Sequence, residues 1–136
     1  MTPESEYFLD KACKLLGDAE VMLKVDLNDA AGRTAYLAAF HAAQAFISER
    51  TGQSVKTHKG VQAELHRLTR DATGFDAELR GFLSHAYNLK AAADYETGPA
   101  AEISHERASA ALQRARRFVA YFETVLAKPP PEAGTG

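Results

Sequence analysis

The hydrophobic pattern along the chain is helical throughout, and its most unusual stretch is Thr34 to Ser48, TAYLAAFHAAQAFIS, which carries no acidic or basic side chain apart from the titratable His41. Stepping about 100° per residue around a helix puts Arg33, Tyr36, Leu37, Phe40, His41, Gln44 and Ile47 on one side. Ala35, Ala38, Ala39, Ala42, Ala45 and Phe46 fall on the other. No solvent face emerges, so the pattern predicts a helix buried all round, with one side small enough for another helix to come close. The stretch is too short to span a bilayer, and His41 and Gln44 would be costly there.

Four further helices follow from the same periodicity, and no strand alternation competes with them. Thr2 and Pro3 form an N-cap and N1 pair for a first helix reaching about Lys24. Its apolar positions are Phe8, Ala12, Leu15, Leu16, Ala19 and Leu23. Asn28 or Asp29 is the expected cap of the charge-free helix, which runs to about Arg50 with Gly52 as its C′ residue. A shorter helix is predicted from Thr57 to Arg70, with Val61, Leu65 and Leu68 inward. A fourth spans Phe75 to Ala92, burying Leu79, Phe82, Leu83, Ala86 and Leu89. Gly98 and Pro99 require a loop, after which Ser104 caps a last helix with a long apolar stripe from Ala108 to Leu126. The predicted fold is all-α, an up-and-down four-helix bundle with an additional short helix. The bundle occupies residues 1–128, and residues 129–136 are expected to form a disordered tail.

A length of 136 residues suits one domain with a real core, and a net charge of −2 argues against general polyanion binding. The single cysteine, Cys13, excludes an internal disulfide and a cysteine-based zinc site, and its place on the apolar face of the first helix predicts a small core residue. The N-terminus lacks the basic-then-apolar order of a signal peptide, so the expected location is the cytoplasm, with no membrane association.

Enzyme signatures are sparse. There is no phosphate-cradling glycine loop, nucleophile elbow or zinc-binding His-Glu-x-x-His, and His41, His58, His66, His85 and His105 are too scattered to form a ligand set. No metal and no cofactor is expected. Lys56-Thr-His-Lys-Gly60 opens the short helix, where free backbone N–H groups beside Lys56, His58 and Lys59 could receive a phosphate; the plainer reading is a solvated helix start. Asn88 to Tyr95 closes the fourth helix with Lys90 and Asp94 at i and i+4. A carboxylate at a helix C-terminus opposes the dipole, so Asp94 needs a cation, from Lys90 or Arg33. A buried Arg33 would need a carboxylate in turn, which an Arg33–Asp94 contact supplies.

Three segments together resemble the HEPN family (higher eukaryotes and prokaryotes nucleotide-binding domain) in its small stand-alone prokaryotic form. They are Ala31 to Ala45, Thr57-His-Lys-Gly-Val61 and Leu89-Lys-Ala-Ala-Ala-Asp-Tyr95, in order and register over about residues 5 to 127. The resemblance implies a helical bundle that forms homodimers and is paired with a minimal nucleotidyltransferase partner, often as a toxin–antitoxin couple. Active members are metal-independent ribonucleases whose Arg-x(4–6)-His motif activates the RNA 2′-hydroxyl and stabilises phosphorane charge. On that basis the catalytic candidates are Lys90, Asp94 and Tyr95, supported by Arg33, and the RNA- or nucleotide-binding candidates are Arg33, Lys56, His58 and Lys59.

The chain departs from the family pattern where it matters most. Lys90 stands where arginine is usual and lacks the planar bidentate fork, and no histidine follows within six residues. Arg80-Gly-Phe-Leu-Ser-His85 matches the expression literally, but five helical steps separate the side chains by about 140°. It also precedes the usual motif position, and we read it as a coincidence. Two further expectations stand beside catalysis. One is a non-catalytic HEPN domain that binds nucleotide, RNA or a partner protein; the other is a helical adaptor that serves only for assembly.

Overall fold

The computed structural model describes residues 1–95 and 102–127, with the side chains of Ala92, Ala93 and Tyr95 left outside. The described residues form five helices: α1 Pro3–Lys24, α2 Asn28–Thr51, α3 His58–Leu68, α4 Ala77–Tyr95 and α5 His105–Ala127. None is long and apolar enough to cross a membrane. The loop expected at Gly98 and Pro99 and the disordered tail expected at 129–136 lie outside the described residues.

Side-chain contacts give each helix its direction. Thr34 on α2 donates to the Met22 sulfur on α1, while Ser48, at the other end of α2, donates to Glu4. The two helices are therefore antiparallel across a tight connection in which Asp26 takes a left-handed φ of 62°. Arg33 meets Asp94, and Tyr36 meets Tyr87 a turn further on, so α4 also runs against α2. Glu20 pairs with Arg116, and Cys13 faces Glu123, which sets α5 antiparallel to α1. The long helices alternate in direction, and α3 rides on α2 and α4 as the additional short element.

The core forms around α2. Ala35, Ala38, Ala39, Ala42, Ala43 and Ala45 have no exposed surface within the single chain, and Ala12 and Ala19 of α1 match them. Small side chains on both helices let the axes approach, which is why the alanine side belongs to the monomer's own core. The bulk comes from aromatic rings near the far end of α2 and on the elements that pack there. Phe46, Phe75, Phe82, Phe118 and Phe122 interlock, with ring centroids between 4.9 and 6.2 Å apart.

Most helix ends follow local chemistry. Thr2 accepts from the Ser5 N–H, Thr57 from Gly60 and Ser104 from Arg107, while Gly52 ends α2 at a φ of 73° that a side chain would strain. Four expectations need correction. Neither Asn28 nor Asp29 caps α2: Leu27 occupies the cap without a side-chain bond, and the Asp29 carboxylate accepts the Ile103 N–H at 2.8 Å instead. That bond fastens the start of α5 to the start of α2. Second, α4 continues through Tyr95 rather than fading at Ala92, so Asp94 lies within the helix. Third, Cys13 is exposed rather than in the core. It sits about 100° round from buried Ala12, past the edge of the stripe, where burial in part and the Glu123 carboxylate push its thiol up to about 11. Fourth, Arg33 is not buried but keeps 39% of its side-chain surface, because it stands at the end of the bundle where α2 begins and α4 finishes.

Phe118 is fully buried among these rings. Phe118→Ala is expected to cost about 3–5 kcal/mol of stability, read as a lowered urea midpoint at unchanged slope.

Candidate functional site

One face of the molecule gathers polar side chains that the apolar pattern leaves over. It is built from two stripes at helical spacing, Arg33, Tyr36 and Phe40 on α2 and Tyr87, Lys90 and Asp94 on α4. Residues three or four apart share a helix face, and the antiparallel packing brings the stripes together rung by rung.

At the first rung the Asp94 carboxylate is divided between two cations. Arg33 Nε donates to Oδ1 at 2.9 Å, and Lys90 Nζ reaches Oδ2 at 2.7 Å. The hydrogen bond from Lys90, then that from Arg33, holds the carboxyl below the usual carboxylate range against the pull of partial burial. This offsets the unfavourable position of an anion at the C-terminus of α4. Because the folded pKa is depressed, the contribution to stability is present above the unfolded value and is lost only as pH falls through the folded one. Near neutrality Asp94 is a fixed anion.

At the second rung lies an aromatic group that the sequence pattern did not announce. His58, the first residue of α3, stacks on Tyr87 with centroids 3.9 Å apart and planes 19° apart. Its Nδ1 is 3.0 Å from the Tyr36 hydroxyl, and the Tyr36 ring meets Tyr87 edge-on at 5.7 Å. Burial, and then the neighbouring Tyr87, pushes the Tyr36 hydroxyl up to about 12, while burial draws His58 below 6.5. Both groups are therefore neutral at pH 7.

The Thr57-His-Lys-Gly60 segment fixes that imidazole. Thr57 caps α3 through the Gly60 N–H at 3.0 Å, and a Cβ on Gly60 would come within 2.8 Å of both Thr57 Oγ1 and Val55 Cγ1. The preceding loop is held from below, where Gln44 Nε2 donates to the Val55 carbonyl at 2.8 Å and Gln44 Oε1 lies 2.7 Å from His41 Nδ1. His41 and Gln44 are thus supports of the α3 entrance. Beyond His58 a cavity of about 530 Å³ opens between α3 and the start of α4, lined by His58, Lys59, Gln62, His66, Phe75 and Arg80.

Of the residues singled out from sequence, Arg33, Lys90 and Asp94 meet directly, and His58 lies one turn away through Tyr36 and Tyr87. Lys59 is exposed at the rim of the cavity, whereas Lys56 is exposed in the loop and does not line it. Tyr95 ends α4, and its side chain is outside the described residues. Arg80 and His85 do not converge. Arg80 gives its guanidinium to the carbonyls of Thr69 and Phe75 behind α3, while His85 lines a separate groove with Arg107 and Arg114 on α5. Tyr36 and Tyr87 were missed as site residues. The available signal was their spacing, three residues from Arg33 and three from Lys90, on the faces that carry those cations.

Asp94→Asn would remove the charge that Arg33 and Lys90 share and with it the offset to their mutual repulsion. The expected outcome is a lower melting temperature that recovers in part as salt screens the repulsion. Gly60→Ala is expected to displace the Thr57 cap and loosen the His58–Tyr87 stack, read as loss of the ring-current shift of the His58 protons in NMR spectra.

Two comparisons with known proteins bear on this geometry. The model of the HEPN domain family matches residues 5–125, which contain every rung of the polar face. A protein of Archaeoglobus fulgidus named only as a UPF0332 protein is 34% identical over 116 residues, covering 85% of this chain and 90% of that relative. A family match over most of the chain, on an all-helical bundle, is decisive: the chain belongs to the HEPN domain family.

Proposed function

We propose that this chain is the HEPN component of a toxin–antitoxin or defence module, that it works in the cytoplasm with a nucleotidyltransferase partner, and that as a homodimer it cleaves RNA without a metal. The observation that carries the reading is the Arg33–Asp94–Lys90 bridge, two cations fixed by one carboxylate at the α4 segment where the family keeps its motif. A phosphodiester drawn to this rung would meet Lys90 and Arg33 as charge-stabilising groups for the phosphorane. Asp94 has a narrower part than the family pattern suggests. Anionic and doubly bonded, it orients the cations, and proton transfer falls to another group. The sequence resemblance adds Tyr95, which closes the same helix, as a third member of the site.

A specific observation favours non-catalytic binding of nucleotide, RNA or a partner protein as the second reading. Both cations already share a carboxylate, and Arg33 opens on its other side onto a cavity of about 420 Å³ that also exposes Asp26, Asp29 and Glu102. That acidic surround weakens the field a phosphate would feel. The two readings part in one experiment, with the purified chain incubated with single-stranded RNA, alone and with its nucleotidyltransferase partner. Catalysis predicts metal-independent cleavage in chelator, reduced by about 10²-fold or more in Lys90→Ala and likewise in Asp94→Ala. RNA retention without cleavage, unchanged by Lys90→Ala, would support the binding reading instead.

A further inference from the structure

The α4 segment of this chain has no histidine after Lys90, yet a neutral imidazole delivered by another helix stacks on Tyr87, three residues before it. We propose that His58 is the proton-accepting catalytic residue of the site, taking the proton of the RNA 2′-hydroxyl while Lys90 and Arg33 hold the adjacent phosphate. The inference rests on the ribonuclease reading above and deepens it.

Three observations carry the assignment. The imidazole is positioned rather than free. Tyr87 stacks on one face of the ring, Tyr36 bonds its Nδ1, and the Thr57 cap with Gly60 fixes the backbone that bears it. Its surroundings suit a base. Among the described residues, the titratable or charged groups that face it are Tyr36 from α2 and Tyr87 from α4, with Lys59, His66 and Arg80 around the adjoining cavity, and no carboxylate is among them. Finally, its distance from the cations is of the right order. Tyr87 precedes Lys90 by three residues and Tyr36 follows Arg33 by three, so each cation lies just under one turn, ~4.5 Å along a helix axis, from a residue that grips His58. The assignment requires one nucleotide to set its 2′-hydroxyl against the imidazole and its 3′-phosphate against the ammonium one rung away.

The chemistry balances without a co-reactant. With Nδ1–H donating to the Tyr36 oxygen, Nε2 presents its lone pair and removes the 2′-hydroxyl proton. The 2′-oxygen bonds to phosphorus and the bond from phosphorus to the 5′-oxygen breaks. The departing oxygen takes a proton from water and the imidazolium returns its proton to solvent, leaving a 2′,3′-cyclic phosphate and a 5′-hydroxyl end. The Tyr36 hydroxyl remains protonated throughout and serves as a positioning group.

The test uses the full-length chain on a single-stranded RNA oligonucleotide in chelator, with circular dichroism as a check on folding. His58→Ala is expected to lower the cleavage rate by about 10²-fold or more, and added imidazole to restore part of it. His58→Phe, which preserves stacking on Tyr87, should be as inactive as His58→Ala, and imidazole should not restore Lys90→Ala. In the wild type, the rate should fall as pH drops through a value below 6.5. Wild-type cleavage in His58→Phe, a folded His58→Ala that imidazole leaves inactive, or a wild-type rate that does not fall with pH while the chain stays folded would each overturn the assignment. Cleavage that requires Lys90 but not His58 defeats this inference alone. No cleavage by the wild type, with or without the nucleotidyltransferase, defeats the ribonuclease reading and this inference with it.

Discussion

A helix with no charge for fifteen consecutive residues must be covered on every side, and that constraint organises the molecule. Burying α2 requires α1, α4 and α5 around it and leaves α3 to close the remaining gap. The alanine side admits close approach, whereas the phenylalanines of α4 and α5 supply volume where α2 is wide of its neighbours. Since single-chain packing already consumes the alanines, any surface for a second copy or a partner has to come from elsewhere, and Arg33 at the head of the polar face is one of the few α2 side chains that still meet solvent.

That face follows from the same geometry. Arg33, Tyr36 and Phe40 step along α2 at helical spacing, and the antiparallel α4 presents Asp94, Lys90 and Tyr87 against them. Each rung has its own character. The outer one is ionic and half-exposed; the inner one is aromatic, with an imidazole between two phenols. A low-dielectric inner rung beside a cationic outer rung is the combination that keeps a histidine neutral while attracting phosphate. The Thr57-His-Lys-Gly60 turn then has a definite purpose. It lays the first residue of α3 flat against Tyr87, and a Cβ at position 60 would crowd the Thr57 and Val55 side chains beside it.

Much of this was legible in the chain. The need of Asp94 for a cation follows from the helix dipole, and the Arg33–Asp94 contact follows from that need. Helix limits were mostly readable from caps, including Thr2, Gly52 and Ser104. What escaped was tertiary. That His58 would find Tyr87 depends on where α3 rests, and no periodicity encodes a partner 29 positions away. Cys13 was misread because a residue one step beyond a stripe shares its neighbours in sequence but not in direction. The α2 start was misread because Asp29 is used between helices, binding Ile103, rather than within its own turn. Local chemistry announces local bonds, and residues spent on long-range contacts look like caps until the fold is known.

The polar face depends on Asp94 being a fixed anion shared by two cations at its head. Carboxyl-carbon NMR of Asp94 through an acid titration measures this directly. The account predicts a midpoint below the ~3.9 of a free aspartate, rising toward it in Arg33→Gln. A midpoint at or above the ordinary value, unmoved by that substitution, would contradict it.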